Sequence, residues 1–535
     1  MGSLNHPHVK RVAIIGAGPA GAIAIDALAQ EGAFDTIRVF ERRKKPGGCW
    51  LPDPPPHVQK LPFLNSIANR TPDPPLPIPP TLPTYTPRTT QYRFSDTSIY
   101  PNLETNIDVG AMSFTQEPMS EERSRGVVEK CGGDSPFRDW GVVLKYIEGL
   151  VERRGYEELI EYGTTVERVE KVGSEWKVVL RKEVTLEGEK DYWWEEIFDA
   201  VVVASGHYTV PYIPHIDGLE EFKEKYTGSV LHSKSWRGVE KYKDKKVIVV
   251  GSSISGPDIS SGLAPHTQHP LYASLSVHHT EPDTPDAAPG PRYHPYFGSH
   301  PFRTPYICRK PPISRVDASN GKRTVYFKDG SSVEEVDYII FGTGYSWTAP
   351  FLSQIPGFEI ANNRVRGLWQ HVFWMRDPTL AFVGGVAAGF TFKVYEYQAV
   401  LLARYLSNRI SLPSLSVQQK WEADRIAKKG DGVPFTALFP DFEEYFEIVR
   451  KLVGEASEGT GKGKGRELPK FEKSWLQAFE SAHLRRIRWW KRVNEAAERE
   501  LVGTGVGREE GRRLVESNRW REGRNVDGWE KYATD

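Results

Sequence analysis

Two stretches of this chain share one grammar. "RVAIIGAGPAGAIAIDALAQ" runs from Arg11 to Gln30, and "KKVIVVGSSISGPDIS" runs from Lys245 to Ser260. Each is an apolar run, a glycine turn and the start of a helix. A run such as Val12–Ile15, apolar at every position, suits a parallel strand covered on both faces. A helix that opens on a glycine turn offers free N–H groups and a partial positive charge to an anion. Two such units constrain the chain to the α/β class with two Rossmann-like units.

In the first unit Gly16, Gly18 and Gly21 have the G-x-G-x-x-G spacing, with Ala17, Pro19 and Ala20 between them. Gly16 makes the tight turn, Gly18 lets the backbone approach a pyrophosphate, and Gly21 lets helix and sheet pack closely. "TIRVFERR" then gives a second strand ending at Glu41. An acid there is placed to meet a ribose hydroxyl and opposes a 2′-phosphate, so the site is expected to take FAD or NAD rather than NADP.

The second unit is degenerate. Gly251 and Gly256 hold the first and third glycine positions, and Ser253 replaces the second. Ser252, Ser253 and Ser255 carry hydroxyls that can face a phosphate. Pro257 suits a first helical turn, and Asp258 follows it. A turn that only packs helix on strand is the competing reading. The pairing with the first unit favours a nucleotide site, one unit holding a flavin and the other its reductant across a domain crevice. The next strand is expected over 271–279 and ends in His278 and His279 without an Arg. Arg292, Arg303, Arg309 or Lys234 would have to meet a 2′-phosphate from elsewhere, so local spacing does not choose NADPH over NADH.

"FDAVVVASGHY" (198–208) resembles "VDYIIFGTGYS" (336–346). Two similar strand ends are expected where a chain leaves one domain and returns to it, which nests the second unit inside the first domain. The segment 52–87 is proline-dense and is expected to be an extended surface loop, and 282–312 is a second proline-rich stretch. Residues 140–155 have the pattern of an amphipathic helix, and 166–206 that of hairpin strands ending in a buried strand and a glycine turn. From about 415 the chain is charged and helical in pattern. "EASEGTGKGKGRE" (455–467) has the composition of a flexible linker. "HLRRIRWWKRV" (483–493) is a basic helix with Leu484, Ile487 and Trp490 on one side, expected to pack on the body or a partner rather than a membrane surface.

Lysine plus arginine and aspartate plus glutamate both number 70, which gives no electrostatic case for a nucleic-acid partner. The cysteines, Cys49, Cys131 and Cys308, show no C-x-x-C spacing, which disfavours a zinc ribbon or redox dithiol and suits reduced thiols in the cytoplasm. No apolar run approaches the roughly 20 residues of a membrane span, and the first residues lack a signal-peptide core. No H-e-x-x-H metal spacing or G-x-S-x-G elbow is present, so no metal is expected. The oligomeric state is open, a homo-oligomer included.

Over roughly residues 10–410 the sequence resembles the flavin-containing monooxygenases, most closely their soluble fungal members. "GAGPAG" with "VFERR" matches the FAD loop and ribose acid, and "GGCW" with Gly48, Cys49 and Trp50 matches a segment along the flavin. "SIYPNLETNIDVGAMSF" (98–114) matches a stretch that implies Thr105, Asn106 and Ile107 at the flavin–nicotinamide junction. "SGPD" (Ser255–Asp258) falls where the family contacts NADP. "YTGSVLHSKSW" (226–236) matches F-x-G-x-x-x-H-x-x-x-[F/Y/W], with Tyr226 replacing Phe and with Gly228, His232 and Trp236 at its key positions. "FGTGYSWTAPFL" (341–352), with Thr343 and Gly344, matches F-A-T-G-Y, Gly342 replacing Ala. "PTLAFVGGV" (378–386), with Gly384, matches the strand closing the flavin site. Trp236 is similar to the ending of the Baeyer–Villiger fingerprint, but Arg237 follows where those enzymes have Pro or Asp.

The resemblance implies an FAD-binding domain over 8–215 with its proline-rich loop at 52–90. It also implies an NADP-binding domain over 216–335, the rest of the FAD domain over 336–412, and a helical region over 413–535. It implies FAD and NADPH as cofactors, a flavin hydroperoxide, and oxygenation of a small amine, thiol or thioether, N,N-dimethylaniline being the type substrate, in secondary metabolism for a fungal-type member. Asn106 is the candidate catalytic residue, bonding the flavin or the nicotinamide amide. His232 is expected to couple the domains rather than move protons, and His207, His278, His279 and His371 to be surface or satisfied core residues. A Baeyer–Villiger enzyme acting on a ketone is the alternative, and a nucleotide-binding flavoprotein without oxygenase activity is the alternative of another class.

Overall fold

The computed structural model describes residues 8–54, 61–185, 188–276, 300–387, 389–454 and 464–502. The first glycine unit lies in a seven-stranded sheet. Its order is Leu368–Trp369, Phe373–Trp374, Leu380–Phe382, Ala200–Val203, Arg11–Ile15, Thr36–Glu41 and Ile160–Tyr162. The strands from Leu380–Phe382 onward are parallel. Val12, Ala13 and Ile14 are wholly buried. The helix Pro19–Glu31 covers one face with Thr391–Leu406 packed along it. It stops at Gly32, which adopts φ +61° where a Cβ would be strained. Helix Trp140–Arg153 closes that layer, its first N–H groups capped by Asp139.

The second sheet has the order Val230–His232, Tyr338–Phe341, Val247–Val250, Leu271–Ser274, Ile307–Lys310, all parallel. This moves one boundary. Tyr338–Phe341 lies between two strands of the second sheet, not in the first, so the second unit extends past 335. The two similar segments are equivalent strands of two separate units. Ala200–Val203 flanks Arg11–Ile15 in one sheet, and Tyr338–Phe341 flanks Val247–Val250 in the other. The crossing itself is a two-stranded ribbon, Val210–Pro211 antiparallel to Tyr345–Ser346.

The proline-rich segment is less irregular than its composition suggests. Within it, Leu64–Ala68 is helical, and Thr84–Pro87 adds an edge strand to the antiparallel sheet formed by Thr164–Val172, Glu175–Thr185 and Glu189–Phe198. An edge strand tolerates proline because one side of its backbone needs no partner. Most of the second proline stretch, with His278, His279 and Arg292, lies outside the described residues.

Three longer helices, Leu415–Lys429, Phe442–Val453 and Lys473–Val502, make up the C-terminal region. The expected linker 455–467 is described only from Lys464, and its end is anchored. Arg466 is buried, with Nη1 2.5 Å from Asp26 and Nε 2.6 Å from Glu396. In the last helix the buried stripe runs through Phe479, His483, Arg486, Trp490, Val493 and Ala497. Leu484, expected on the packed side, is half exposed; the buried register instead carries Arg486 inward, where a carbonyl and acids receive it. The helix spans both units: Trp490 joins the first core, Ala496 and Ala497 the second. Among the described residues no helix is long and apolar enough to cross a membrane.

Candidate active site

The two glycine turns are built alike. A Cβ on Gly16 would stand 2.8 Å from the Ala204 carbonyl oxygen, and one on Gly21 1.9 Å from that of Gly16. In the second unit a Cβ on Gly251 would stand 2.4 Å from the Gly342 oxygen, and one on Gly256 2.0 Å from that of Gly251. Gly342 thus takes the place of Ala204, and a Cβ there would meet the Gly256 nitrogen at 2.8 Å. This crowding is the physical reason for glycine at 342.

Around the first turn lies a cavity of about 1020 Å³. Its wall includes Gly16, Gly18, Pro19, Ala20, Glu41, Gly48, Cys49, Trp50, Asn106, Ile107, Ser255, Asp258 and Gly384 from the expected set. Glu41 is buried, and its carboxylate accepts from the N–H of Ala17 at 2.7 Å and of Arg43 at 2.8 Å. Those bonds leave acceptor capacity on both oxygens for a hydroxyl. Gly18 and Gly48 bring two backbones together; a Cβ on Gly48 would be 2.9 Å from the Gly18 Cα. A side chain at either place would fill the cradle.

Thr105 and Asn106 divide the work expected of both. Thr105 is turned into the protein: its N–H donates to Arg138 O at 2.8 Å, its hydroxyl to Ile107 O at 3.1 Å, and its carbonyl accepts from Arg486 at 2.9 Å. With Thr105 so engaged, the cavity wall receives Asn106 and not Thr105. Gly384 is held from behind by a buried relay that sequence reading missed. Gln398 Oε1 accepts the Gly384 N–H at 2.8 Å, Gln398 Nε2 donates to the Tyr445 hydroxyl at 3.0 Å, and that hydroxyl donates to Gln370 O at 3.1 Å. The glutamine was a weak signal, because Lys393, Glu396 and Arg404 are buried on the same helix.

The second unit reaches the cavity through Ile254, Ser255, Asp258 and Ile259. Gly251, Gly256 and Pro257 are spent on packing, and Ser253 is exposed, so none of these four lies on the wall. Asp258 accepts from the Tyr100 hydroxyl at 3.2 Å; burial raises its carboxyl while Arg486 opposes the rise.

Thr343, Gly344 and the fingerprint build the crossing. Thr343 Oγ1 donates to Tyr212 O at 2.5 Å, and Gly344 O accepts from the Tyr212 N–H at 2.9 Å. His232 Nδ1 accepts the Lys234 N–H at 3.1 Å, which leaves the proton on Nε2, 2.9 Å from Gly344 O. Burial holds this ring down to about 3, so it is neutral. Trp236 is buried and stacks on Tyr242 at 5.4 Å in the second unit's core. Gly228 supplies a turn at φ +81°. Lys234, expected at most near a phosphate, instead ties three segments: its ammonium donates to Phe94 O at 2.9 Å and Thr209 O at 2.8 Å, 3.1 Å from Asp96. His207 differs from its expected surface or core role. It lines the cavity, stacks on Trp347 at 4.9 Å and is held down to about 4 by burial. His371 is a buried core residue among Trp421, Phe435 and Tyr445.

The glycine cradle, the carboxylate beside it and the second unit across the cavity fit a flavin dinucleotide opposite a nicotinamide one. Comparison with known proteins agrees. The description "Flavin-binding monooxygenase-like" matches residues 97–276 and 313–446, and "NAD(P)-binding Rossmann-like domain" matches 14–60. Flavin-containing monooxygenase FMO GS-OX-like 7 of Arabidopsis thaliana is 32% identical over 82% of this chain and 82% of its own. Flavin-containing monooxygenase ustF2 of Aspergillus flavus is 26% identical over 82% of this chain and 91% of its own. The structure of S-allyl-L-cysteine S-oxygenase from Allium sativum superposes with a TM-score of 0.66 at 24% identity, covering 98% of this chain and 99% of that one, a likeness of fold. The chain therefore belongs to the flavin-binding monooxygenase-like family and is a monooxygenase that works with FAD and NADPH.

Proposed function

We propose that the enzyme oxygenates a nucleophilic nitrogen or sulfur atom of a small molecule. The observation that carries this reading is one cavity on whose wall Glu41, Asn106 and Asp258 all stand, joining both nucleotide units. Glu41 would hold the ribose of FAD, and Gly18 and Gly48 its pyrophosphate. Asn106, set by the pinned Thr105, would orient the flavin or the nicotinamide amide. When bound, FAD reduced by NADPH activates O₂ and delivers one oxygen atom to the substrate, the other leaving as water.

This chain's residues bind, orient and keep water out. Trp50, Tyr208, Tyr345, Phe392 and Tyr395 wall the cavity with rings. That lining suits an apolar substrate and a site from which water is excluded. A lone pair on nitrogen or sulfur attacks without first being activated. A ketone would need a polarising donor, and the nearby cations are committed elsewhere. On the wall Arg42 donates to Arg93 O, Arg43 to Pro52 O and Asp53, and Arg93 pairs with Asp73 and Glu167. Lys428 pairs with Asp441 and Glu444, and Lys429 donates to the carbonyls of Ala437 and Phe439. His207, neutral and stacked on Trp347, adds no charge.

A panel of tertiary amines, thioethers and cyclic ketones, each with NADPH, tests this. N-oxides or sulfoxides are expected. Lactones or esters in their place would turn the reading to Baeyer–Villiger chemistry.

A further inference from the structure

A residue far from every motif stands behind the cavity wall. Arg486 enters from the C-terminal helix and is buried. Its Nη2 donates to Thr105 O at 2.9 Å and lies 3.7 Å from Glu104, while its guanidinium lies over the Phe137 ring at 4.7 Å. Glu104 is also bound by Lys130 at 2.6 Å. Asp258 of the second unit accepts from the Tyr100 hydroxyl at 3.2 Å, and the Arg486 charge opposes the rise that burial gives its carboxyl.

We propose that Arg486 is a positioning residue of the active site, fixing the Thr105–Asn106 peptide from behind the cavity wall. The inference rests on reading the cavity as the flavin–nicotinamide site. A peptide is planar, with C=O and N–H pointing opposite ways. Holding Thr105 O on the helix side therefore sets the direction of the Asn106 N–H and the starting point of its side chain. Thr105 is already held at its N–H and hydroxyl, so the guanidinium removes the last rotation of that peptide. A full charge is desolvated for this, which a helix needs for no reason of its own. The same charge lies 3.7 Å from Glu104, the residue before Thr105.

The test uses full-length holoenzyme and the variants R486A and R486K. Arg485, the exposed neighbour that pairs with Asp134 at 2.5 Å, gives the control R485A. The readouts are flavin content, melting temperature, NADP⁺ affinity from the flavin spectrum, and the share of NADPH oxidation appearing as H₂O₂. With flavin content kept, R486A is expected to bind NADP⁺ about tenfold more weakly, the equivalent of one charge-assisted hydrogen bond, and to release several times more H₂O₂. R486K is expected to fall between, because an ammonium keeps the charge without the planar fork. Millimolar guanidinium is expected to restore R486A and leave R485A unchanged. Unaltered NADP⁺ affinity and H₂O₂ share at full flavin content would overturn the proposal. So would loss of fold and flavin together in both Arg486 variants, which would leave only a packing role. Wild-type protein that neither binds FAD nor oxidises NADPH would be a different failure, that of the site itself, and would take this inference with it.

Discussion

The N–H of Ala17 donates to Glu41 Oε2 at 2.7 Å, joining the glycine turn to the end of the next strand. One carboxylate thus closes the turn and faces the cavity. Glu41→Ala is expected to leave the Ala17 and Arg43 N–H groups short of an acceptor in a buried place, costing about 1–3 kcal/mol. Flavin affinity should fall in the same variant. Absorbance of the purified protein at flavin wavelengths, with a urea titration, measures both.

The glycines separate into those that pack and those that admit ligand. Gly21→Ala and Gly256→Ala push a methyl to within 1.9 and 2.0 Å of backbone oxygens. Each is expected to cost about 1–3 kcal/mol or more of fold stability. A Cβ on Gly18 meets the Gly48 Cα at 3.3 Å and its nitrogen at 3.7 Å, close but not overlapping. Gly18→Ala should keep the fold and lose flavin. Melting curves with and without added FAD distinguish the two classes.

Acid stability should be set by buried neutral histidines. His232 is held near 3, and His207 and His483 near 4, each below the ordinary 6.5. Their folded forms refuse a proton that the unfolded chain accepts, so stability is full above about pH 6.5 and is lost as the pH falls toward 4. Each such ring contributes up to about 1.4 kcal/mol per pH unit in that window. His232→Gln should make the fall of stability between pH 6 and 4 shallower by about one proton. Urea midpoints across that range give the slope.

Arg466 reaches Asp26 and Glu396 inside the protein. Arg466→Ala would take the nearest cation from two buried carboxylates, leaving Asp26 the more distant Arg154 at 3.8 Å, and is expected to cost about 3–5 kcal/mol. Combining it with Asp26→Asn and Glu396→Gln should recover much of the loss. Thermal or urea unfolding of the single and triple variants is the check.

What the sequence made legible was what lies within a few residues. The glycine spacing, the acid at 41 and the serine-rich second turn are local patterns, and the structure puts Gly18, Glu41, Asn106 and Asp258 on one wall. The rest depends on partners far away in the chain. The similarity of 198–208 to 336–346 was visible, but which sheet each strand joins is decided by pairing with Val12–Ile15 or Val247–Val250. Thr105 looked like a ligand because its polarity is all that a sequence displays; Arg138 and Arg486 use that polarity up. Gln398 and Arg486 sit on helices that bury several polar residues among apolar ones, and nothing local tells which of them reaches the site. The linker composition at 455–467 likewise gave no sign that Arg466 meets two buried acids.

The most direct test of the account is the fate of labelled oxygen. Purified holoenzyme is given NADPH, ¹⁸O₂ and a thioether or tertiary amine, and NADPH oxidised is compared with labelled product. The account predicts bound FAD and one ¹⁸O in the sulfoxide or N-oxide for each NADPH oxidised. Protein without FAD, or NADPH consumed with all the oxygen recovered as H₂O₂ and no labelled product from any nitrogen or sulfur compound, would contradict it.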